Sequence, residues 1–203
     1  MNHGEIGFRI NSKRICSTFN YDYNNTEKIN VMRKINLFIA SSLDGYIARS
    51  DGSVDWLPEN TASGYERFIK SIDTVVMGKK TYDQVLTFGD YPYKNKKSYV
   101  FTRNDDYPKD ENTEFVHDVD KLVKDINTNS GTNIWLIGGA DIISTFLNLE
   151  LVDEIILSII PVVLGKGIPL FKNIQKEVKL ELIKTTDYDA LVELHYKVLK
   201  KIS

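Results

Sequence analysis

Four short stretches of this sequence share residue types suited to one kind of chemistry. They are Ser41-Ser-Leu-Asp44-Gly45-Tyr-Ile-Ala48, Gly78-Lys79-Lys80-Thr81, Thr102-Arg103-Asn104 and Gly138-Gly139-Ala140-Asp141, and each follows an apolar run. The second and fourth open segments that read as helices. A helix N-terminus offers unpaired N–H groups and the positive end of its dipole, so it favours phosphate. Gly139 has no Cβ, which lets the backbone approach a pyrophosphate closely. Lys79, Lys80 and Arg103 form a cationic cluster suited to one further phosphate. Each stretch alone is also what a tight strand-to-helix turn or a solvated lysine pair looks like. Their recurrence with one chemical theme carries the reading of a phosphate-bearing nucleotide.

Other site signatures are missing. No G-x-G-x-x-G follows an apolar run, no G-x-x-x-x-G-K-[ST] occurs, and there is no G-x-S-x-G. His3, His117 and His195 lack metal-ligand spacing. His195 lies in an alternating stretch and reads as a surface or core-edge residue, and His117 as structural. A single cysteine, Cys16, excludes an internal disulfide framework and a Cys-rich metal site.

These stretches need a scaffold. Residues 35–40 are nearly all apolar, as in a strand buried on both faces. The segment after them is punctuated by Gly45, Gly52 and Pro58 and reads as loop. Tyr65, Phe68, Ile69 and Ile72 fall at i, i+3, i+4 and i+7, which predicts a helix. Strands are expected at 74–77, 98–101, 114–116, 133–137 and 154–160. Tyr82, Val85 and Leu86 mark a helix closed near Gly89. Asp118 caps another, carrying Val119, Leu122, Val123 and Ile126. Ile142, Ile143, Phe146 and Leu147 share one side of a third. Near the end, Val178, Leu180 and Leu182, then Val192, Leu194, Tyr196 and Val198, alternate with polar residues. They predict two half-exposed antiparallel strands turning at Asp187-Tyr-Asp189. The pattern is an α/β domain with a mostly parallel central sheet and antiparallel C-terminal strands. Ligands on such sheets bind beyond the carboxyl ends of the strands, where the four stretches fall.

Composition narrows the class. The chain has 203 residues with 26 basic and 28 acidic side chains, a net charge of -2. That balance argues against nucleic acid as the main partner. No apolar run approaches the roughly 20 residues of a membrane span, and no secretory h-region opens the chain. A cytoplasmic protein acting on a small molecule is expected. Residues 1–31 lack sustained periodicity, and Met32-Arg33-Lys34 directly precedes the first strand. Residues 1–31 therefore read as a disordered or mis-assigned extension, and 32–203 as the domain. The alternating final strands and the apolar run at 154–164 imply an exposed sheet edge, for which a homodimer is the expected cover.

The stretch Lys34-Ile-Asn-Leu-Phe-Ile-Ala-Ser-Ser-Leu-Asp-Gly-Tyr-Ile-Ala48 resembles the opening of the dihydrofolate reductase-like superfamily. Val76-Met-Gly-Lys-Lys-Thr-Tyr82 resembles its cofactor-phosphate turn, and Leu136-Ile-Gly-Gly-Ala140 its glycine pair. Four further stretches resemble one branch, the reductase domain of the bacterial bifunctional riboflavin-biosynthesis deaminase/reductase. They are Leu151-Val-Asp-Glu-Ile155, Pro161-Val-Val-Leu-Gly165, Gly167-Ile-Pro-Leu-Phe171, and Asp51-Gly-Ser with Trp56. The resemblance spans residues 32 to about 199. It implies a single three-layer dihydrofolate reductase-like domain that binds NADPH. It further implies hydride transfer to a small heterocyclic or ribosyl-linked substrate, as in 5-amino-6-(5-phosphoribosylamino)uracil reductases.

Carried over by residue, the resemblance implies that Ala40 lines the nicotinamide. Gly78, Lys79, Lys80 and Thr81 hold phosphates of the adenine half, and Thr102 and Arg103 contact the 2′-phosphate. Gly138, Gly139, Ala140 and Asp141 bind the pyrophosphate. Asp44 and Trp56 border the place where nicotinamide meets substrate. Asp44 is the expected proton donor, with Glu59 next. No metal is implied. Two positions depart from the pattern. Ala62 falls where folate reductases carry a carboxylate, with Glu59 and Glu66 nearby. Ile137 falls where riboflavin-pathway reductases usually carry a glutamate. Two alternatives therefore stay open: a non-catalytic nucleotide-binding protein on the same fold, and a true dihydrofolate reductase.

Overall fold

The computed structural model describes residues 33–58, 64–103 and 112–200. Expectations about residues 1–31, Glu59 and Ala62 lie outside them. The chain runs β1 (Ile35–Ser42), β2 (Tyr46–Ala48), α1 (Tyr65–Lys70), β3 (Ile72–Gly78), α2 (Lys79–Thr87), β4 (Lys97–Phe101) and β5 (Thr113–Val116). It continues with α3 (Val119–Thr128), β6 (Asn133–Gly138), α4 (Ala140–Asn148), β7 (Glu154–Ile160), β8 (Ile168–Pro169), β9 (Lys179–Tyr188) and β10 (Leu191–Leu199). Eight strands form one sheet in the order β5-β4-β3-β6-β1-β7-β10-β9. The first six in that order are parallel to their neighbours. β10 runs antiparallel to both β7 and β9. Among the described residues no helix is long and apolar enough to cross a membrane.

Helices cover both faces, which is why the central strands read as continuous apolar runs. On one face Leu37, Val76, Ile134, Leu136 and Ile155 pack against Leu122 and Ile126 of α3 and Ile143, Phe146 and Leu147 of α4. The other face is aromatic, with Phe38, Phe68, Tyr93 and Trp135 between the sheet and α1 and α2. Phe38 stacks on Phe68 at 4.6 Å, and Trp135 Nε1 donates to the Phe38 carbonyl at 2.9 Å. Asp118 caps α3 by accepting from the Asp120 amide.

Neighbouring strands β3 and β6 feed helices on opposite faces. α2 leads outward to β4, and α4 leads back to β7. This is a topological switch point, where a crevice opens at the carboxyl ends.

Several details differ from the sequence expectations. Ile72 belongs to β3, not to the helix before it: the Ser71 amide and hydroxyl both close on the Phe68 carbonyl, and Ile72 pairs with Asn133. The glycine-punctuated loop contains β2, which pairs with β8, and neither short strand carries enough residues to show a period. The final turn falls at Asp189-Ala190, beyond Tyr188. The run from Glu154 is not at an edge, because β7 lies between β1 and β10. The edge on the C-terminal side is β9, with Leu182 and Ile183 half exposed among Lys179, Glu181 and Lys184.

Candidate functional site

The switch point is built from two glycine turns. Met77 of β3 pairs with Gly138 of β6, so the two strands end side by side. Gly78 and Gly139 are the N-caps of α2 and α4, both with extended backbone and no side-chain cap. The first-turn N–H groups of the two helices therefore point beyond the sheet. The turns touch: a Cβ on Gly78 would stand 3.3 Å from Ile142 Cγ1, and one on Gly139 would stand 3.5 Å from Thr81 Oγ1. Gly138 has φ +118°, a conformation side chains rarely adopt. The Gly138–Gly139 peptide is cis. Backbone without side chains, facing two helix dipoles, fits the phosphates of a dinucleotide.

The surrounding charges are uneven. Lys79 pairs with Asp83 within α2, and Asp141 pairs with Lys172 at 2.5 Å. Lys80 and Arg103 are exposed. Phe101 of β4 pairs with Gly78, which brings Thr102 and Arg103 to the same end of the sheet as Lys80. The Thr102 amide donates to the Val116 carbonyl, and His117 Nδ1 lies 2.8 Å from the Thr102 carbonyl.

On the far side of β6 from this cluster, the aromatic face holds a cleft of about 140 Å³. Phe38 and Ala40 of β1, Ser158 and Ile160 of β7 and Leu191 of β10 form its floor, and Leu57, Pro58 and Tyr65 its walls. Ala40 pairs with Ser158. Pockets for drug-sized ligands occupy roughly 300–1,000 Å³, so this one takes a single ring. From β4 to β7 are four strand spacings, about 19 Å at roughly 4.8 Å each. Cationic ends, glycine turns and apolar cleft follow one another in that order.

Asp44 stands away from this floor and joins two loops. Its carboxylate accepts from Ser42 Oγ at 2.6 Å and from the amides of Leu164 and Gly165 at 3.1 and 2.7 Å. The Ser42 hydroxyl and those amides hold its carboxyl below the ordinary range, against a smaller burial effect. A group kept ionised makes a poor proton donor at neutral pH. The loop carrying Trp56 is tied by the Arg49–Asp55 ion pair and by Gln84 Nε2 donating to the Gly52 carbonyl. Trp56 Nε1 is buried without a partner among the described residues. Its neighbours Leu57 and Pro58, rather than the indole, line the cleft. Glu66 is exposed on α1.

Sequence reasoning assigned none of Tyr65, Ser158 or Leu191 to the site. The period of two in β7 puts Ile156, Ser158 and Ile160 on one face. No local signal reveals that β1 and β10 flank them.

The family described as the RibD C-terminal domain matches residues 33–193. The uncharacterized protein YwjB of Bacillus subtilis (strain 168) is 41% identical over 169 residues, covering 81% of this chain and 97% of that protein. A crystal structure of a Shewanella sp. PV-4 protein, provisionally assigned to riboflavin biosynthesis, aligns with TM-score 0.75 and 30% identity. It covers 82% of this chain and 99% of that one. Dihydrofolate reductase from Enterococcus faecalis, in complex with NADP(H), aligns with TM-score 0.62 over 82% of this chain and 97% of its own. At 19% identity that likeness shows the fold alone. The three-layer domain is thus dihydrofolate reductase-like, and the chain belongs to the RibD C-terminal domain family.

Proposed function

We propose that this protein is an NADPH-dependent oxidoreductase. In this reading it reduces a carbon–heteroatom double bond of a small heterocyclic or ribosyl-linked acceptor. The observation that carries the reading is the abutting pair of glycine turns, one strand away from an apolar cleft of ring size. Family membership supports a reductase, and the dihydrofolate reductase with bound NADP(H) supports the cofactor.

The amides of Lys79, Lys80 and Thr81 hold phosphate of the adenine half. Gly138, Gly139, Ala140 and Asp141 accommodate the pyrophosphate with backbone N–H groups. Thr102, Arg103 and Lys80 meet the 2′-phosphate. Ala40 leaves room over β1 for the nicotinamide. When bound, the cofactor supplies the hydride. The protein's own work is to place donor and acceptor in one orientation and to exclude water. Proximity of this kind supplies up to about 7–11 kcal/mol of barrier reduction. Asp44 anchors the loop after β1 to the loop after β7 and so keeps the cleft's rim in place.

The test is titration of the full chain with NADPH and NADH, read by thermal shift, followed by acceptor trials. Binding raises stability by RT ln(1 + [L]/Kd), about 2.7 kcal/mol at a hundred times Kd. A larger shift with NADPH than with NADH is expected. Oxidation of NADPH should follow with 5-amino-6-(5-phosphoribosylamino)uracil or with dihydrofolate. A folded sample showing no shift with either nucleotide would refute the reading.

A further inference from the structure

The cleft floor is apolar apart from the Ser158 hydroxyl, and one acidic side chain stands against it. Glu193 of β10 pairs directly with Ser158 of β7, and Ser158 with Ala40 of β1. Direct cross-strand partners share a face and hold their Cβ atoms about 5 Å apart. Glu193 is also two residues beyond Leu191, so both project toward the same side. Its side chain therefore lies on the cleft's face of the sheet, beside the lining residues Ser158 and Leu191, with its carboxylate next to Gly64. Gly64 precedes the cleft residue Tyr65. A Cβ on Gly64 would stand 3.4 Å from Glu193 Oε1, 3.6 Å from Oε2 and 3.3 Å from Tyr188 Oη.

The carboxylate is incompletely satisfied. Oε2 is shielded from solvent and has no hydrogen-bond partner among the described residues. A buried carboxylate oxygen without a donor is costly, whereas a neutral carboxyl carries its own proton and can give it. The charged groups around it are His195 on its own strand, Lys184 on β9 and Arg67 on α1. Burial outweighs all three and raises the carboxyl above its ordinary value. Asp44, by contrast, is held ionised by the loop it joins.

We propose that Glu193 is a catalytic residue that hydrogen-bonds the acceptor in this cleft and gives it a proton. The inference rests on the reductase reading. As the hydride bonds to the acceptor carbon, the π pair of the C=N or C=O bond moves to the heteroatom. The heteroatom takes its proton from the Glu193 carboxyl. The nicotinamide cofactor is oxidised by two electrons, and the Glu193 carboxylate regains a proton from water. Substrates are then compounds that place a basic nitrogen or oxygen beside Ser158.

Two measurements on the full chain test this. The first follows the Glu193 carboxyl carbon by NMR in protein labelled at glutamate, without cofactor, with Glu193→Gln assigning the signal. Titration above pH 4.5, the ordinary value, is expected, and titration at or below it overturns the proposal. The second compares wild type with Glu193→Gln in NADPH titration and in turnover of whichever trial acceptor the wild type reduces. General acid catalysis is typically worth about 10²–10⁴-fold. The variant should lose at least about a hundredfold in kcat, keep its NADPH Kd within about twofold, and lose the alkaline limb of the kcat profile. A kcat within about threefold of wild type overturns the proposal. A wild type that binds no NADPH sinks the reductase reading and this role with it, a result seen in the titration before any variant is made.

Discussion

Replacing Arg103 with alanine should weaken NADPH and spare NADH. The two nucleotides differ by one phosphate, so their ratio isolates whatever holds that group. Arg103 follows β4, beside the Gly78 turn, and is exposed. Lys79 contributes less, since its ammonium is already paired with Asp83. Hydrogen bonds to charged groups are worth about 1.5–3 kcal/mol, and exposed ion pairs far less. An exposed guanidinium on a dianionic phosphate belongs near the lower end of the first range, about 1.5–2 kcal/mol. At about 1.4 kcal/mol per decade, that is roughly a ten- to thirtyfold rise in Kd for NADPH. Calorimetric titration of wild type and Arg103→Ala with both nucleotides measures it. Raising the salt should narrow the wild-type preference and leave the variant's ratio nearly flat, because screening acts on the exposed charge. Equal weakening of NADH and NADPH would show that Arg103 shapes the turn rather than reading the phosphate. An unchanged NADPH Kd would remove the residue from the site.

Three further outcomes follow from the geometry. Gly138→Ala puts a Cβ at φ +118° and 3.3 Å from Ile143 Cδ1; about 1–3 kcal/mol of stability should be lost, seen as a lower Tm, together with NADPH affinity. Phe146→Ala empties a site with no solvent exposure and should cost about 3–5 kcal/mol; at roughly 2–4 °C per kcal/mol the Tm falls about 6–20 °C, while the NADPH Kd of the folded protein holds. Burial alone would raise the Glu154 carboxyl, but Lys34 and His195, at 2.7 and 2.9 Å, leave it below its ordinary value. Its stabilising contribution is therefore complete above about pH 4.5 and lost as pH falls through the folded-state value; Glu154→Gln should flatten the acid limb of chemical-denaturation stability, and an unaltered limb would refute this.

The sheet was legible because its parallel strands are buried on both faces, which writes them as unbroken apolar runs such as residues 35–40. The glycine turns were legible because Gly138 and Gly139 are chemically distinctive where they stand. What failed was anything set by pairing between distant segments. The i, i+3, i+4, i+7 spacing of Tyr65, Phe68, Ile69 and Ile72 mimics two helix turns, yet Ile72 pairs with Asn133 sixty-one positions later. β2 and β8 total five residues and exist only because each finds the other. Asp44 was singled out as a proton donor through the resemblance of the stretch after β1. Its three hydrogen bonds, two of them to amides 120 and 121 positions away, give it a loop to hold instead.

Glu193 is the sharpest instance of that limit. In sequence it is one of several charges alternating along a C-terminal strand, and such charges ordinarily face water. Whether an alternating residue faces water or a cleft depends on what covers its face. On β10 that cover is supplied by α1, through Gly64, where any side chain would crowd the carboxylate. The burial of Oε2 therefore comes from three segments at once: β10 carries the acid, β7 sets its partner Ser158, and the glycine before α1 leaves it room. Placing a methyl group there separates the parts of that argument. Gly64→Ala keeps the helix and the charge but pushes its Cβ against Glu193 and Tyr188. It should lower kcat while sparing the NADPH Kd, since the glycine turns lie on the other side of β1. If NADPH binding falls and kcat does not, cleft and cofactor turns are arranged differently from the order of strands described above.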